Sequence, residues 1–202
     1  VHRGYQLLCG QVEASGGVLR TLSAGWEARP CPGLTVRCLG PSPERSARLA
    51  GLYRGLYEPV DQEEFRRRLT ALDAAMNNFS AILLLDYRGT RLLLPGDANR
   101  LGCAGLDPRD LPAHLFKIGH HGQRDGADAA LAEAIRPKAV VCCASSDRRY
   151  QSACPETLRL FSQRGADLYF SDCPRLPGLD IPPHQALVFT VGEAGALSAG
   201  YQ

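Results

Sequence analysis

The stretch from Ala81 to Pro95 constrains the fold more than any other part of the chain. Two leucine-rich runs, Ile82–Leu85 and Leu92–Leu94, flank an Arg88-Gly89 pair. Short apolar runs on either side of a glycine turn signal predict two buried strands folded back on each other. The second strand ends in Pro95-Gly96-Asp97, so a carboxylate is delivered where the chain leaves the sheet. A further run, Leu115-Phe116-Lys117-Ile118-Gly119, delivers His120-His121-Gly122 in the same way. A carboxylate and an imidazole launched from neighbouring strand ends can share one divalent cation, because both are good ligands for zinc or manganese and the strands fix their separation.

The length of 202 residues favours one domain with a sizeable core. Hydrophobic residues at 45% and charged residues at 22% are those of an ordinary globular chain rather than a disordered or fibrous one. With 23 basic and 21 acidic side chains the net charge is +2, which excludes nucleic-acid binding driven by overall field; an anionic substrate must be met by local patches. The eight cysteines contain no Cys-x-x-Cys pair, and Cys142-Cys143 follows the apolar Ala139-Val140-Val141. Reduced, mostly buried thiols in a cytoplasmic protein are therefore expected. No apolar stretch approaches the ~20 residues needed to span a membrane, and there is no signal-peptide pattern. The sequence starts at Val1 rather than at methionine, and the expectation is that further residues precede it.

Tyr5–Cys9, Val18–Leu22 and Leu34–Leu39 read as short strands punctuated by Gly16-Gly17, Gly25 and Pro30-Cys31-Pro32-Gly33. Between Glu44 and Ala75 the spacing predicts two helices, one presenting Leu49, Leu52, Tyr53 and Leu56, the other Phe65, Leu69, Leu72 and Met76, with Pro59 between them. Arg66-Arg67-Arg68 reads as the solvated side of the second, balanced by Asp61, Glu63 and Glu64. Downstream the pattern alternates: helix over Ala127–Ile135, strand over Lys138–Cys143, helix over Pro155–Gln163, strand over Leu168–Phe170, and a last strand over Ala186–Val191. Strands first, then alternation, predicts an α/β layered fold with mixed sheets.

Three segments resemble the later motifs of the metallo-β-lactamase superfamily: Asn77-Asn78-Phe79-Ser80 with the strand after it, Leu92-Leu93-Leu94-Pro95-Gly96-Asp97-Ala98, and Leu115 to Gly122. The likeness is to the ComEC-type branch, a hydrolase domain associated with bacterial DNA-uptake channels. It runs from about Val18 to Val191 and corresponds to the second half of a full superfamily domain. It implies an αββα sandwich with two divalent metal ions, zinc or manganese, in a cleft at one edge of the sheets. By the resemblance, Asp97 is the metal-contacting aspartate and His120, the first to leave the strand, is the last metal ligand. His121 is then a supporting or substrate-contacting catalytic residue. Asn77, Asn78 and Ser80 would donate hydrogen bonds to a phosphate or orient Asp97, the plain alternative being a turn and strand cap, and Arg148, Arg149 and Lys117 are the local candidates for contacting the phosphate. His2, His114 and His184 read as structural or surface residues, and Trp26 as turn or core packing.

Two departures bear on activity. The family's His-x-His-x-Asp-His cluster does not occur between residues 1 and 202, and Cys154 stands before Pro155 where the family commonly has histidine. The implied function is metal-assisted hydrolysis of DNA or RNA phosphodiesters. The binuclear site would be completed by an N-terminal half of the domain, from the same gene product or a separate chain, with proteolytic processing as one route, and the fragment alone would be inactive. The alternatives are a metal-free relative acting as an interaction or scaffold module, and a metallohydrolase of small molecules.

Overall fold

The computed structural model describes residues 2–19, 22–56 and 58–202, with the side chains of His2, Arg3, Tyr5 and Gln6 outside the description. In chain order the elements are α1 (His2–Ala14), β1 (Glu27–Cys31), β2 (Leu34–Gly40), α2 (Pro43–Gly55), α3 (Gln62–Ala75), β3 (Ile82–Tyr87), β4 (Thr90–Leu94), α4 (Arg100–Cys103), β5 (Leu115–Lys117), α5 (Ala129–Ile135), β6 (Ala139–Cys142), α6 (Pro155–Ser162), β7 (Asp167–Phe170), β8 (Leu187–Val191) and β9 (Leu197–Tyr201).

The leucine-rich stretch folds as the β3–β4 hairpin. Leu85 faces Leu92, and Arg88 (φ 53°) and Gly89 (φ 88°) make the left-handed turn that matches strand twist. This hairpin is the middle of a seven-stranded mixed sheet in the order β1-β2-β3-β4-β5-β6-β7. The pairs from β1 to β4 are antiparallel and those from β4 to β7 parallel. Pro30, which lacks an N–H for a ladder bond, is accommodated because β1 is the edge strand. The protein is thus of the α/β class expected, built on one large mixed sheet.

Strand register sorts the side chains into two faces. Leu84, Leu93, Phe116 and Val140 lie side by side on one face, where α5 and α6 bring Leu131, Ile135, Leu158 and Phe161 against them. Phe116 and Phe161 are fully buried with ring centroids 5.4 Å apart. On the other face the β8–β9 hairpin lays Leu187, Phe189 and Leu197 over Leu92, Leu115, Val141 and Tyr169. It is fastened there by Thr90 Oγ1 donating to the Gly195 carbonyl (2.6 Å) and the Phe170 N–H donating to Tyr201 Oη (3.1 Å). Further along that face, Val36, Leu83, Leu85 and Leu94 are only half-buried.

The peripheral helices follow local signals. Ser42 caps α2 by accepting from the Arg45 N–H, with Pro43 in the first turn, and Asp61 caps α3 by accepting from the Glu64 N–H. Arg67 and Arg68 pair with Glu64 along α3, as the charge pattern predicts. Neither helix contributes much core: Leu72 is the buried residue of α3, and α2 has none among the described residues.

Three expectations need correction. Tyr5–Cys9 is part of α1, not a strand. A strand must find a hydrogen-bonding neighbour, whereas a helix satisfies its backbone internally, and Leu7 and Leu8 lie exposed with no such neighbour among the described residues. Of the Val18–Leu22 run, Arg20 and Thr21 lie outside the described residues, and Val18, Leu19 and Leu22 belong to no strand. Strands β1 and β9 have no counterpart among the strands expected from sequence. No helix of the described residues is long and apolar enough to cross a membrane.

All eight cysteines are free thiols. Burial pushes Cys103 up to about 11 and Cys142 up to about 12 from an ordinary value of 9.0. Both folded-state values lie above the unfolded one, so the native protein holds these protons longer and stability falls as pH rises from 9 toward 12. At pH ~8 iodoacetamide is expected to label exposed Cys31 and to spare Cys103 and Cys142 until the protein is unfolded; peptide mass spectrometry of the labelled protein checks this.

Candidate metal centre

Two strand exits build the site, and a backbone contact fixes their separation. A Cβ on Gly119 would stand 2.0 Å from the Ala98 carbonyl oxygen, and one on Gly126 would stand 2.4 Å from the Gly119 carbonyl oxygen. Only glycine allows the segment after β5 to lie this close to the segment after β4. Ser80 closes the other side, its Cβ 3.3 Å from where a Gly96 Cβ would be.

Beyond Gly119 the chain makes a left-handed turn through His120 (φ 47°, ψ 43°), His121 (φ 53°, ψ 26°) and Gly122 (φ 69°). Two successive non-glycine residues in this region cost about 1–2 kcal/mol each. Backbone hydrogen bonds hold them there: Ala153 N–H donates to the His121 carbonyl (3.0 Å) and Cys154 N–H to the Gly122 carbonyl (2.8 Å). The 148–153 loop that supplies one of these donors is itself left-handed at Arg148, Tyr150, Gln151 and Ala153. Strain of this kind concentrates where side chains must be aimed.

The turn aims His121 at Asp97. His121 Nδ1 lies 2.7 Å from the Cys143 carbonyl oxygen and Nε2 lies 3.3 Å from Asp97 Oδ2. A carbonyl oxygen only accepts, so Nδ1 carries the proton and donates it. In the neutral ring Nε2 then presents a lone pair to a carboxylate oxygen. Two such groups stay face to face when something positive lies between them, either a proton on Nε2 or a shared cation. The second oxygen of Asp97 is 3.4 Å from Lys117 Nζ, and this mostly buried ammonium also donates to the Gly96 carbonyl. His120 is anchored similarly: its Nδ1 is 2.8 Å from Asp125 Oδ1, while Asp125 Oδ2 accepts from Asn99 Nδ2 at 3.0 Å. Fixing Nδ1 on a carbonyl or carboxylate and leaving Nε2 as the free nitrogen is how metal-ligating histidines are oriented.

The structure therefore distributes the expected residues differently from the sequence reading. His120 was expected to join Asp97 because it leaves the strand first; the left-handed turn instead brings His121 to Asp97 and turns His120 toward Asp125. Lys117 braces Asp97. Arg148 is folded onto the Ser152 and Ala153 carbonyls, and Arg149 is paired with Asp147 at 2.6 Å. Asn77 and Asn78 occupy a short 3-10 turn before β3; among the described residues neither bonds to Asp97, and Asn78 packs instead against Gly102 of α4. Cys154 is buried and donates to Glu156 at 2.8 Å, which holds the Glu156 carboxyl below its ordinary range. His114 Nδ1 accepts from the Arg91 N–H, and the His184 ring lies 4.4 Å from Tyr201, both structural contacts; the side chain of His2 is outside the description. Asn99 and Asp125 belong to the site without a motif to mark them, although each follows closely on a motif residue, Asp97 and His120.

Among the described residues, no group of three or more His, Cys, Asp or Glu side chains converges as a metal site. Asp97 and His121 have the right donor chemistry and orientation for two ligands of such a site. His121 opens onto a cleft of about 390 Å³ whose wall includes Cys143, Ser145, Tyr150, Ser152 and Ser171.

No family model matches the chain. Over 102 residues, 49% of the chain, it is 24% identical to ComE operon protein 3 of Bacillus subtilis, and the match takes in 13% of that protein's length. A crystal structure of a "putative metal-dependent hydrolase" from Parabacteroides distasonis superposes with a TM-score of 0.41 at 13% identity, covering 80% of this chain and 60% of that one.

Gly119→Ala would drive a methyl group into the Ala98 carbonyl and is expected to lower unfolding free energy by about 3 kcal/mol. Gly51→Ala, in α2 with open space around it, should instead stabilise by about 0.5–1 kcal/mol. Urea denaturation of the two variants measures both.

Proposed function

We propose that this chain carries one side of a divalent-metal centre in a hydrolase of the metallo-β-lactamase kind, acting on the phosphodiesters of DNA or RNA. The observation that carries this reading is the facing of His121 Nε2 and Asp97 Oδ2 at 3.3 Å, with Nδ1 tied to the Cys143 carbonyl. The resemblance of the Gly96-Asp97 and His120-His121-Gly122 segments to that superfamily's motifs supports it. In the proposal Asp97 and His121 are ligands, Lys117 and the Cys143 carbonyl hold them in place, and His120, anchored on Asp125, offers Nε2 as a further donor. Two bound zinc or manganese ions would supply an activated water at neutral pH and neutralise charge on the phosphodiester.

The remaining donors are proposed to come from an N-terminal part of the same domain, in the same gene product or on a separate chain, with proteolytic processing as one way of separating the two. The half-buried Val36, Leu83, Leu85 and Leu94 offer that part an apolar face to pack on. A second reading, a metal-free interaction module, is favoured by the lack of a three-donor group among the described residues and by Cys154 in the position of the family histidine.

Elemental mass spectrometry and cleavage of bis(4-nitrophenyl) phosphate, on protein expressed from the complete gene, separate the two. About two zinc or manganese ions per molecule are expected. Asp97→Ala and His121→Ala should lose metal and lower metal-dependent cleavage by about 100-fold or more. No metal uptake after reconstitution would establish the metal-free module instead.

A further inference from the structure

Tyr150 is 83% exposed, among the most exposed of the large hydrophobic side chains, and is held out at φ 55°. It stands between two clefts and lines both. The first is the ~390 Å³ cleft that His121 opens onto, walled by Cys143, Ala144 and the serines Ser145, Ser152 and Ser171. Ser152 is 3% exposed, and its hydroxyl has no hydrogen-bond partner among the described residues. The second, of about 320 Å³, is lined by Arg100, Arg124 and Asp125.

The charges of the two clefts differ. In the first, Arg149 is neutralised by Asp147, and Asp172 adds a carboxylate held below its ordinary range by hydrogen bonds from Ser146. In the second, the Asp125 carboxylate is bonded to His120 and Asn99, and Arg100 and Arg124 form no ion pair among the described residues, although, after the Cys154 hydrogen bond, nearby Arg124 also lowers the Glu156 carboxyl. Two guanidiniums against one carboxylate leave this lining with one positive charge in excess. An apolar-walled cleft with hydroxyls suits a flat heteroaromatic ring with polar edges. A cleft with two unpaired guanidiniums suits a phosphate. An exposed aromatic ring between them suits stacking, which is tolerant of base identity because every base has a π-face.

We propose that Tyr150 is a base-stacking wedge between two adjoining subsites for a single-stranded polynucleotide. One base stacks on Tyr150 in the cleft beside His121, and the neighbouring phosphate crosses to Arg100 and Arg124. This rests on the phosphodiester reading above and refines it: a base already paired and stacked in a duplex cannot enter the first cleft, so the bound strand is unpaired at that nucleotide.

The test is fluorescence anisotropy with labelled oligothymidylate and with a duplex of equal length, on the full chain and with EDTA present so that no metal-dependent cleavage intervenes. The single strand should bind more tightly. Tyr150→Ala should weaken it by about 10-fold, while Tyr150→Phe, which keeps the ring, retains affinity. Arg100→Gln with Arg124→Gln should flatten the slope of log affinity against log salt by about 0.7 for each phosphate no longer neutralised. Exposed Arg136→Gln on α5's C-terminal side, paired with Glu133, serves as the charge control. Equal binding by wild type and Tyr150→Ala, equal losses in the Phe and Ala variants, preference for duplex, or no binding by wild type would each overturn the wedge. Because EDTA removes metal from this measurement, the outcomes separate: binding without metal uptake elsewhere sustains the wedge and sinks the hydrolase, and the reverse result does the opposite.

Discussion

The contact between Gly119 and the Ala98 carbonyl is the constraint on which the candidate site depends. Parallel pairing of β4 with β5 brings the two strand ends side by side, but pairing alone would leave room for side chains between the segments that follow. With Gly119 and Gly126 the backbones close directly on one another. Asp97 and the histidine pair then leave two segments in direct backbone contact, and the separation of their exits is set by that contact rather than by flexible loops. The left-handed turn at His120-His121 is tolerated because the 150–154 loop meets its carbonyls with hydrogen bonds.

Around that unit the polar groups form a chain of anchors. Asp97 lies between the Lys117 ammonium and the His121 ring, and both histidines are tied down through Nδ1, one by a backbone carbonyl and one by a carboxylate that Asn99 holds in turn. Each anchor removes a rotamer choice that a ligand would otherwise have to restrict on binding. A lone carboxylate and imidazole on a protein surface, without these supports, would turn away from each other into water.

How far the sequence could be read follows from how local each signal is. The β3–β4 hairpin was legible because Arg88-Gly89 and the flanking leucines carry turn and strand information within a few residues; α2 and α3 were legible from their apolar spacing on either side of Pro59. The α1 segment was misread because Tyr5–Cys9 is too short for its periodicity to separate strand from helix. Strand β9 was passed over because Leu197–Tyr201 has only small and intermittent apolar residues and becomes a strand through its pairing with β8. At the site, Asp97 and the two histidines were evident as strand-exit residues. The identity of the histidine at Asp97 was not, because it hangs on the left-handed backbone of two successive residues, His120 and His121, which no residue pattern encodes.

The sequence by itself determined the alternation of strands and helices, the positions where chemistry-bearing residues leave the sheet, and the glycines that let those exits approach, since these depend on local propensity and on which residues lack a side chain. Only the tertiary structure decided that His121 faces Asp97, that Lys117 serves as a brace, that Asp125 and Asn99 orient His120, and that Tyr150 stands between two clefts. Each of these relations joins residues brought together by packing of the sheet and its loops, and a side chain's partner is fixed by the direction in which the folded backbone releases it.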